Sequence, residues 1–134
     1  MNNLTTLVRE INQKLITDYA EVSGDKNPIH IDSSFAQKSQ FKGTIAHGMI
    51  IVGYFSDFMD RIHGSNWSKT GRIKVKFRNP ARPGDTLSIS GELKRQEEIS
   101  ADSAVTISSK YSLKCHNQRG ELISSATAEV VIKD

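Results

Sequence analysis

Cysteine is almost missing from this chain: Cys115 stands alone among 134 residues. That excludes an internal disulfide framework and any cysteine-based zinc cluster, and a cytoplasmic location is the simplest expectation. No apolar run approaches the ~20 residues that a membrane span needs. The opening Met1-Asn2-Asn3-Leu4-Thr5-Thr6 lacks the basic-then-apolar order of a secretory signal. Net charge is low as well. The 18 Lys and Arg against 15 Asp and Glu leave +3, which suits an anionic partner but is too weak to indicate nucleic-acid binding. Nothing reads as a linker, repeat or low-complexity segment, so one domain over residues 1–134 is expected.

Proline is rare too, with 3 residues, and one of them marks the stretch around which the chain is organised. Ser23-Gly24-Asp25-Lys26-Asn27-Pro28-Ile29-His30-Ile31-Asp32 carries a carboxylate and an imidazole five positions apart. Gly24 can take positive φ and end a helix. Pro28 lacks an N–H and keeps Asn27 out of helical geometry. Asp25 and His30 therefore sit in a turned loop, and only a loop that folds back brings both to one small molecule.

Around this loop the pattern is helical, then alternating. Residues 4 to 11 hold Leu4, Leu7, Val8 and Ile11, a short strand or helix edge. From Asn12, a candidate cap, Leu15, Ile16, Tyr19, Ala20 and Val22 follow helical spacing to Gly24. Ser33 or Ser34 can cap a short helix through Phe35, Ala36 and Lys38, and Asp32 is read as a cap for the same helix. Residues 45 to 62 are apolar nearly all round, as in a helix wrapped on several sides, and His63-Gly64-Ser65-Asn66 ends them. Beyond Trp67 the chain alternates. Ile73, Val75 and Phe77 point inward, against Arg72, Lys74, Lys76 and Arg78. Further inward sets are Leu87 to Leu93, Val105 to Cys115 and Leu122 to Ile132, with Glu97 to Asp102 a polar turn. One long buried helix followed by at least four antiparallel strands implies an α+β arrangement, a curved sheet wrapped round the helix.

Three motifs recur in order: Ser23-Gly24-Asp25-x-Asn27-Pro28-x-His30-x-Asp32, then Ile45-Ala46-His47-Gly48-Met49, then Phe77-x-x-Pro80 with Pro83-Gly84-Asp85-Thr86-Leu87. Together they resemble the MaoC-like, (R)-specific enoyl-CoA hydratase family of the hotdog fold. Thr44 stands where that family often has proline. The resemblance implies reversible addition of water to a trans-2-enoyl thioester, giving an (R)-3-hydroxyacyl thioester. It implies Asp25 and His30 as the catalytic pair, the Gly48 N–H as donor to the thioester oxygen, and Ser56 as a supporting group. It implies neither metal nor other cofactor, a homodimer, and an acyl-CoA or acyl carrier protein substrate.

Physical chemistry agrees with this assignment. Attack of water at C3 drives negative charge onto the thioester oxygen, and a backbone N–H at a helix N-terminus is a fixed dipole for it. A carboxylate and an imidazole sharing one water can take one proton and deliver another. Asn27, His47, Met49, Ile50 and Gly53 are candidate substrate contacts, the acyl tunnel being expected along the long helix. Each has a structural reading beside the functional one: His47 opens an apolar helix, and Ser56 can bond a carbonyl one turn back. Cys115 lies in the apolar register of its strand, and His63 and His116 read as surface residues. Lys74, Lys76, Arg78 and Arg82 are candidates to steer an anionic carrier, against a solvated sheet face. A hotdog thioesterase and a non-catalytic acyl-thioester binding module are the rival functions.

Overall fold

The computed structural model describes residues 4–102 and 104–133. In chain order the elements are β1 (Leu7–Glu10), α1 (Gln13–Ser23), α2 (Pro28–Ile31), α3 (Ser33–Gln37), α4 (Gly48–His63), α5 (Ser65–Thr70), β2 (Arg72–Phe77), β3 (Thr86–Ala101), β4 (Ala104–His116) and β5 (Leu122–Lys133). The five strands form one antiparallel sheet in the order β1-β3-β4-β5-β2. Register shifts between Leu93 and Arg95, and between Cys115 and His116, mark irregularities of the kind that bend a sheet.

Helix α4 lies across the curved sheet, the hotdog arrangement of an α+β fold. Its Ile51, Phe55, Phe58 and Met59 join Leu87, Ile89, Leu113, Cys115 and Val130 in one buried cluster. The alternation of the strands sets this up. Ile73 pairs with Ala128 and Val75 with Ala126 on the helix side, while Lys74 pairs with Thr127 and Lys76 with Ser125 on the other. Wrapping is incomplete, because Met49, Gly53 and Asp60 leave one side of α4 open. No helix among the described residues is long and apolar enough to cross a membrane.

Local signals behave as their chemistry requires. The Asn12 side chain caps α1 by accepting from the Leu15 N–H at 2.8 Å, and Gly24 ends it in the left-handed region at φ 82°. Asp32, not Ser33 or Ser34, caps α3, accepting from the Phe35 N–H at 3.1 Å.

Of the strand or helix edge expected over residues 4 to 11, the structure forms the strand, β1. Three boundaries depart from expectation. Helix α4 begins at Gly48 instead of Ile45, because the Ile45 and Ala46 N–H groups donate to Ile29 and Ala81 carbonyls at 3.2 and 2.8 Å. Past His63 the chain makes a further short helix, α5. Glu97 to Ala101 continue β3 opposite β4, and the turn itself comes at Asp102, at φ 50°. Polar side chains were no obstacle to pairing there, since a hairpin past the core is exposed on both faces.

Candidate active site

The Asp25–His30 loop is turned back by two side-chain-to-backbone bonds and the short helix α2. Asp25 accepts from the Asn27 N–H at 3.3 Å, and Asn27 caps α2 by accepting from the Ile29 N–H at 3.1 Å. Pro28 opens α2, where its missing N–H costs nothing. His30, at 9% exposure, thereby comes back to face Asp25, with Nε2 4.0 Å from the carboxylate Oδ2. Gln13 of α1 holds the backbone there, its Nε2 donating to the His30 carbonyl at 2.9 Å. Thr44 locks Gln13 in turn, its hydroxyl donating to Oε1 at 2.8 Å.

Hydrogen bonding fixes the His30 tautomer. Nδ1 lies 2.8 Å from the Ile45 carbonyl, and a carbonyl can only accept, so Nδ1 carries the proton. In the neutral ring Nε2 then offers a lone pair toward the Asp25 side. His47 stacks on His30 with ring centroids 3.8 Å apart and planes 23° apart. Its Nε2–H donates to the Asp25 carbonyl at 2.9 Å. Asp25, His30 and His47 bring three metal-type ligand atoms within 4.8 Å of one another, although one nitrogen of each imidazole is already engaged with a carbonyl.

Gly48 opens α4 next to this group. Its N-cap residue, His47, makes no side-chain capping bond, and the Gly48 N–H has no hydrogen bond among the described residues. The positive end of the helix dipole is thus open at that point. Phe77 crosses directly over Gly48: its ring carbons Cε1 and Cζ lie 2.9 Å from where a Cβ on Gly48 would be. A mainly apolar cleft of about 430 Å³ runs here, lined by His30, Phe41, Ile45, Gly48, Ile51, Phe77, Arg78 and Pro80. It joins a bare imidazole nitrogen and an open helix N-terminus to an apolar wall.

The model of the MaoC like domain matches residues 2–113 of this sequence. The chain belongs to the MaoC-like family. It is 32% identical to a 3-hydroxybutyryl-CoA dehydratase of Methylorubrum extorquens over 91 residues, 65% of this chain and 55% of that protein. It is 36% identical to an (R)-specific enoyl-CoA hydratase of Rhodospirillum rubrum over 86 residues, 61% of this chain and 57% of that protein. The match spans little more than half the length of these curated relatives. Among solved structures, a monoamine oxidase regulatory protein from Archaeoglobus is 28% identical with a TM-score of 0.79, covering 100% of this chain and 92% of that one. An R-hydratase from Pseudomonas aeruginosa is 25% identical with a TM-score of 0.72, covering 96% and 78%.

Within this MaoC-like chain, not every anticipated site residue reaches the cleft. Ser56 lies roughly 12 Å along α4 from Gly48 at 1.5 Å per residue. Its hydroxyl accepts from the Trp67 indole N–H at 2.8 Å, which ties α5 to α4. Gly53 and Ser56 line a separate cleft of about 520 Å³ with Asp57, Asp60 and Trp67. Ile50 is in the core and Met49 is exposed, so in the single chain neither forms a tunnel wall with His30. Asn27 acts as the cap of α2.

The basic stripe divides. Arg72, Lys74 and Lys76 project from the sheet face opposite α4. β2 ends at Phe77, so Arg78 leaves the strand register and lines the cleft. Arg82 places its guanidinium against Gly43, on the loop before α4. Phe77 keeps the α4 side of β2, its ring lying against Gly48, yet at the strand's end it is 57% exposed.

His63 is not a surface residue. It is half-buried, 2.8 Å from the Tyr111 hydroxyl, and burial pushes its pKa down. Cys115 is core, and burial pushes its thiol up to about 12.

Sequence reasoning missed Gln13 and Phe77, and the work done by Thr44 and Asp85. Buried Asp85 accepts from the Arg82 N–H at 2.8 Å and from Gln118 Nε2 at 3.0 Å. It fixes the turn following Ala81, whose carbonyl receives the Ala46 N–H. The Pro83-Gly84-Asp85 turn was the available signal for Asp85, and Phe77-x-x-Pro80 for Phe77.

Proposed function

We propose that this chain is a hydratase or dehydratase of acyl thioesters. It adds water to a trans-2-enoyl thioester to give the (R)-3-hydroxyacyl thioester, or runs the reverse. The observation that carries the reading is the bare Nε2 of His30 facing the Asp25 carboxylate at 4.0 Å, beside the open Gly48 N–H. That separation is too long for a direct hydrogen bond. It lets both atoms lie ~2.8 Å from one water oxygen, at an angle of about 90°.

In hydration, the water oxygen bonds to C3 and the π electrons of the double bond shift toward C2 and the thioester oxygen. The Gly48 N–H and the dipole of α4 stabilise that oxygen. The Asp25–His30 pair takes one proton from the water and returns one to C2, so the enzyme ends unchanged. The two groups share these proton transfers as a coupled unit. The apolar wall of Phe41, Ile45, Ile51 and Phe77 suits the hydrocarbon part of the substrate, and Arg78 an anionic carrier, coenzyme A or acyl carrier protein. Specificity for the (R) product is supported by the name of the Rhodospirillum rubrum relative. The open side of α4 and the edge strand β2 favour a homodimer, and the reading places it in the cytoplasm.

Loss of enoyl absorbance with crotonyl-CoA and longer homologues tests this directly. Asp25→Asn and His30→Gln should each lower turnover ~10²–10⁴-fold with the fold intact. The double variant should be little worse than either. Near-wild-type turnover in either single variant, or an (S) product on chiral analysis, contradicts the assignment. Release of free thiol in place of hydration identifies a thioesterase, and thioester binding with neither reaction identifies a binding module.

A further inference from the structure

His47 is 2% exposed, yet only one of its ring nitrogens has a partner. Nε2–H donates to the Asp25 carbonyl, whereas Nδ1 is buried without any hydrogen bond. An unpartnered polar atom in the interior is unfavourable, and an apolar ring of similar outline avoids it. Packing alone therefore does not account for an imidazole at this position.

What the ring touches does account for it. One face lies on His30 at 3.8 Å, and Tyr19 of α1 packs edge-on with centroids 4.8 Å apart. Asp25 is exposed, and its other hydrogen bonds are local, from its N–H to the Ser23 hydroxyl and from the Asn27 N–H to its carboxylate. Among the described residues, the bond from His47 is the one that ties Asp25 to a distant part of the chain.

We infer that His47 is a positioning residue. It sets the reach between the Asp25 carboxylate and the His30 imidazole by gripping Asp25 through its carbonyl while stacking on His30. This rests on the reading that Asp25 and His30 carry the chemistry. His47 acts through them and touches neither the water nor the thioester. A displacement of ~1 Å in such a pair can lower the rate on the order of 10²-fold.

Two substitutions separate the grip from the stack. His47→Gln keeps an N–H donor at similar reach and gives up the aromatic stack. His47→Phe keeps a stacking ring and gives up the donor, and it also removes the orphaned nitrogen. With crotonyl-CoA, His47→Phe should lose kcat by on the order of 10²-fold. Its KM should be little changed and its melting temperature equal to or above that of the wild type. His47→Gln should recover most of the lost kcat.

Wild-type turnover in His47→Phe overturns the inference. Equal, deep loss in both folded variants also overturns it, because a retained N–H donor then does not hold the reach between Asp25 and His30. A fall in melting temperature that accompanies the loss of kcat assigns His47 a purely structural role. If His47→Phe does not fold, His47→Leu, smaller and equally without a donor, is read by the same outcomes. The dyad variants keep the two failures apart. Full activity in Asp25→Asn removes the functional reading whatever His47 does, while an inactive Asp25→Asn with wild-type His47 variants removes the positioning role alone.

Discussion

Gly48→Ala gives a quantitative test of the N-terminus of α4. The added methyl carbon meets Phe77 Cε1 and Cζ at 2.9 Å, where ordinary contact begins at 3.4 Å, so the ring must retreat by at least about 0.5 Å. Backbone strain does not enter, because Gly48 is not among the positive-φ glycines. Phe77 is 57% exposed and can turn toward solvent, so the cost is below the ~1–3 kcal/mol of overpacking in a closed core. Alanine returns up to ~1 kcal/mol in helix propensity. For 134 residues, 1 kcal/mol corresponds to about 4 °C, and the melting temperature should stay within about that interval. Catalysis should respond more strongly. A thioester oxygen needs to come within ~2.7–3.1 Å of the Gly48 nitrogen, into space that the methyl and the displaced ring now share. Complete loss of one such donor costs ~10²–10³-fold. Because the N–H survives, kcat/KM for crotonyl-CoA should fall by ~10- to 10²-fold. Adding Phe77→Ala should restore part of it, so that the two substitutions are non-additive. An unchanged kcat/KM in Gly48→Ala refutes the placing of the thioester oxygen at this helix end. An unrestored double variant refutes the part given to Phe77.

Asp85→Asn preserves volume but turns an amide donor toward Gln118 Nε2, and Gln118 cannot flip without releasing the Thr86 N–H held by its Oε1 at 2.9 Å. The loss should be ~1–3 kcal/mol, roughly 4–11 °C in a thermal melt, and a shift under about 2 °C counts against the clamp. Reversing Arg78 and Arg82 to Glu should raise KM for the carrier-linked substrate and flatten its salt dependence while kcat is largely kept, since steering acts on capture and is screened over ~8 Å. Reversing Lys74 and Lys76, on the far face of the sheet, should leave KM close to wild type. The opposite ranking in a steady-state salt series contradicts that division.

What the sequence settled alone are features closed by bonds within a few residues. Asn12, Gly24 and Asp32 end helices because a cap needs only its own N–H or carbonyl neighbours. Pro28 breaks the helix wherever the loop later docks. Alternation assigned the inward residues of β3 to β5 because side chains change face at every residue. At Phe77 it assigned the right side but not the burial, because the strand ends there and the ring covers only the first turn of α4.

Everything that makes the cleft chemical required a second segment to arrive. The His30 tautomer depends on the Ile45 carbonyl, the start of α4 on the Ala81 carbonyl, and the grip on Asp25 on His47. Those partners lie 15, 35 and 22 positions away, and side-chain spacing along one segment carries no information about which distant carbonyl will face it. The same reason separates Ser56 from Gly48. Both sit on one helix in the sequence, but the Trp67 indole claims Ser56, and the cleft forms only where α2, carrying His30, and the segment after β2, carrying Arg78, meet the first turn of α4.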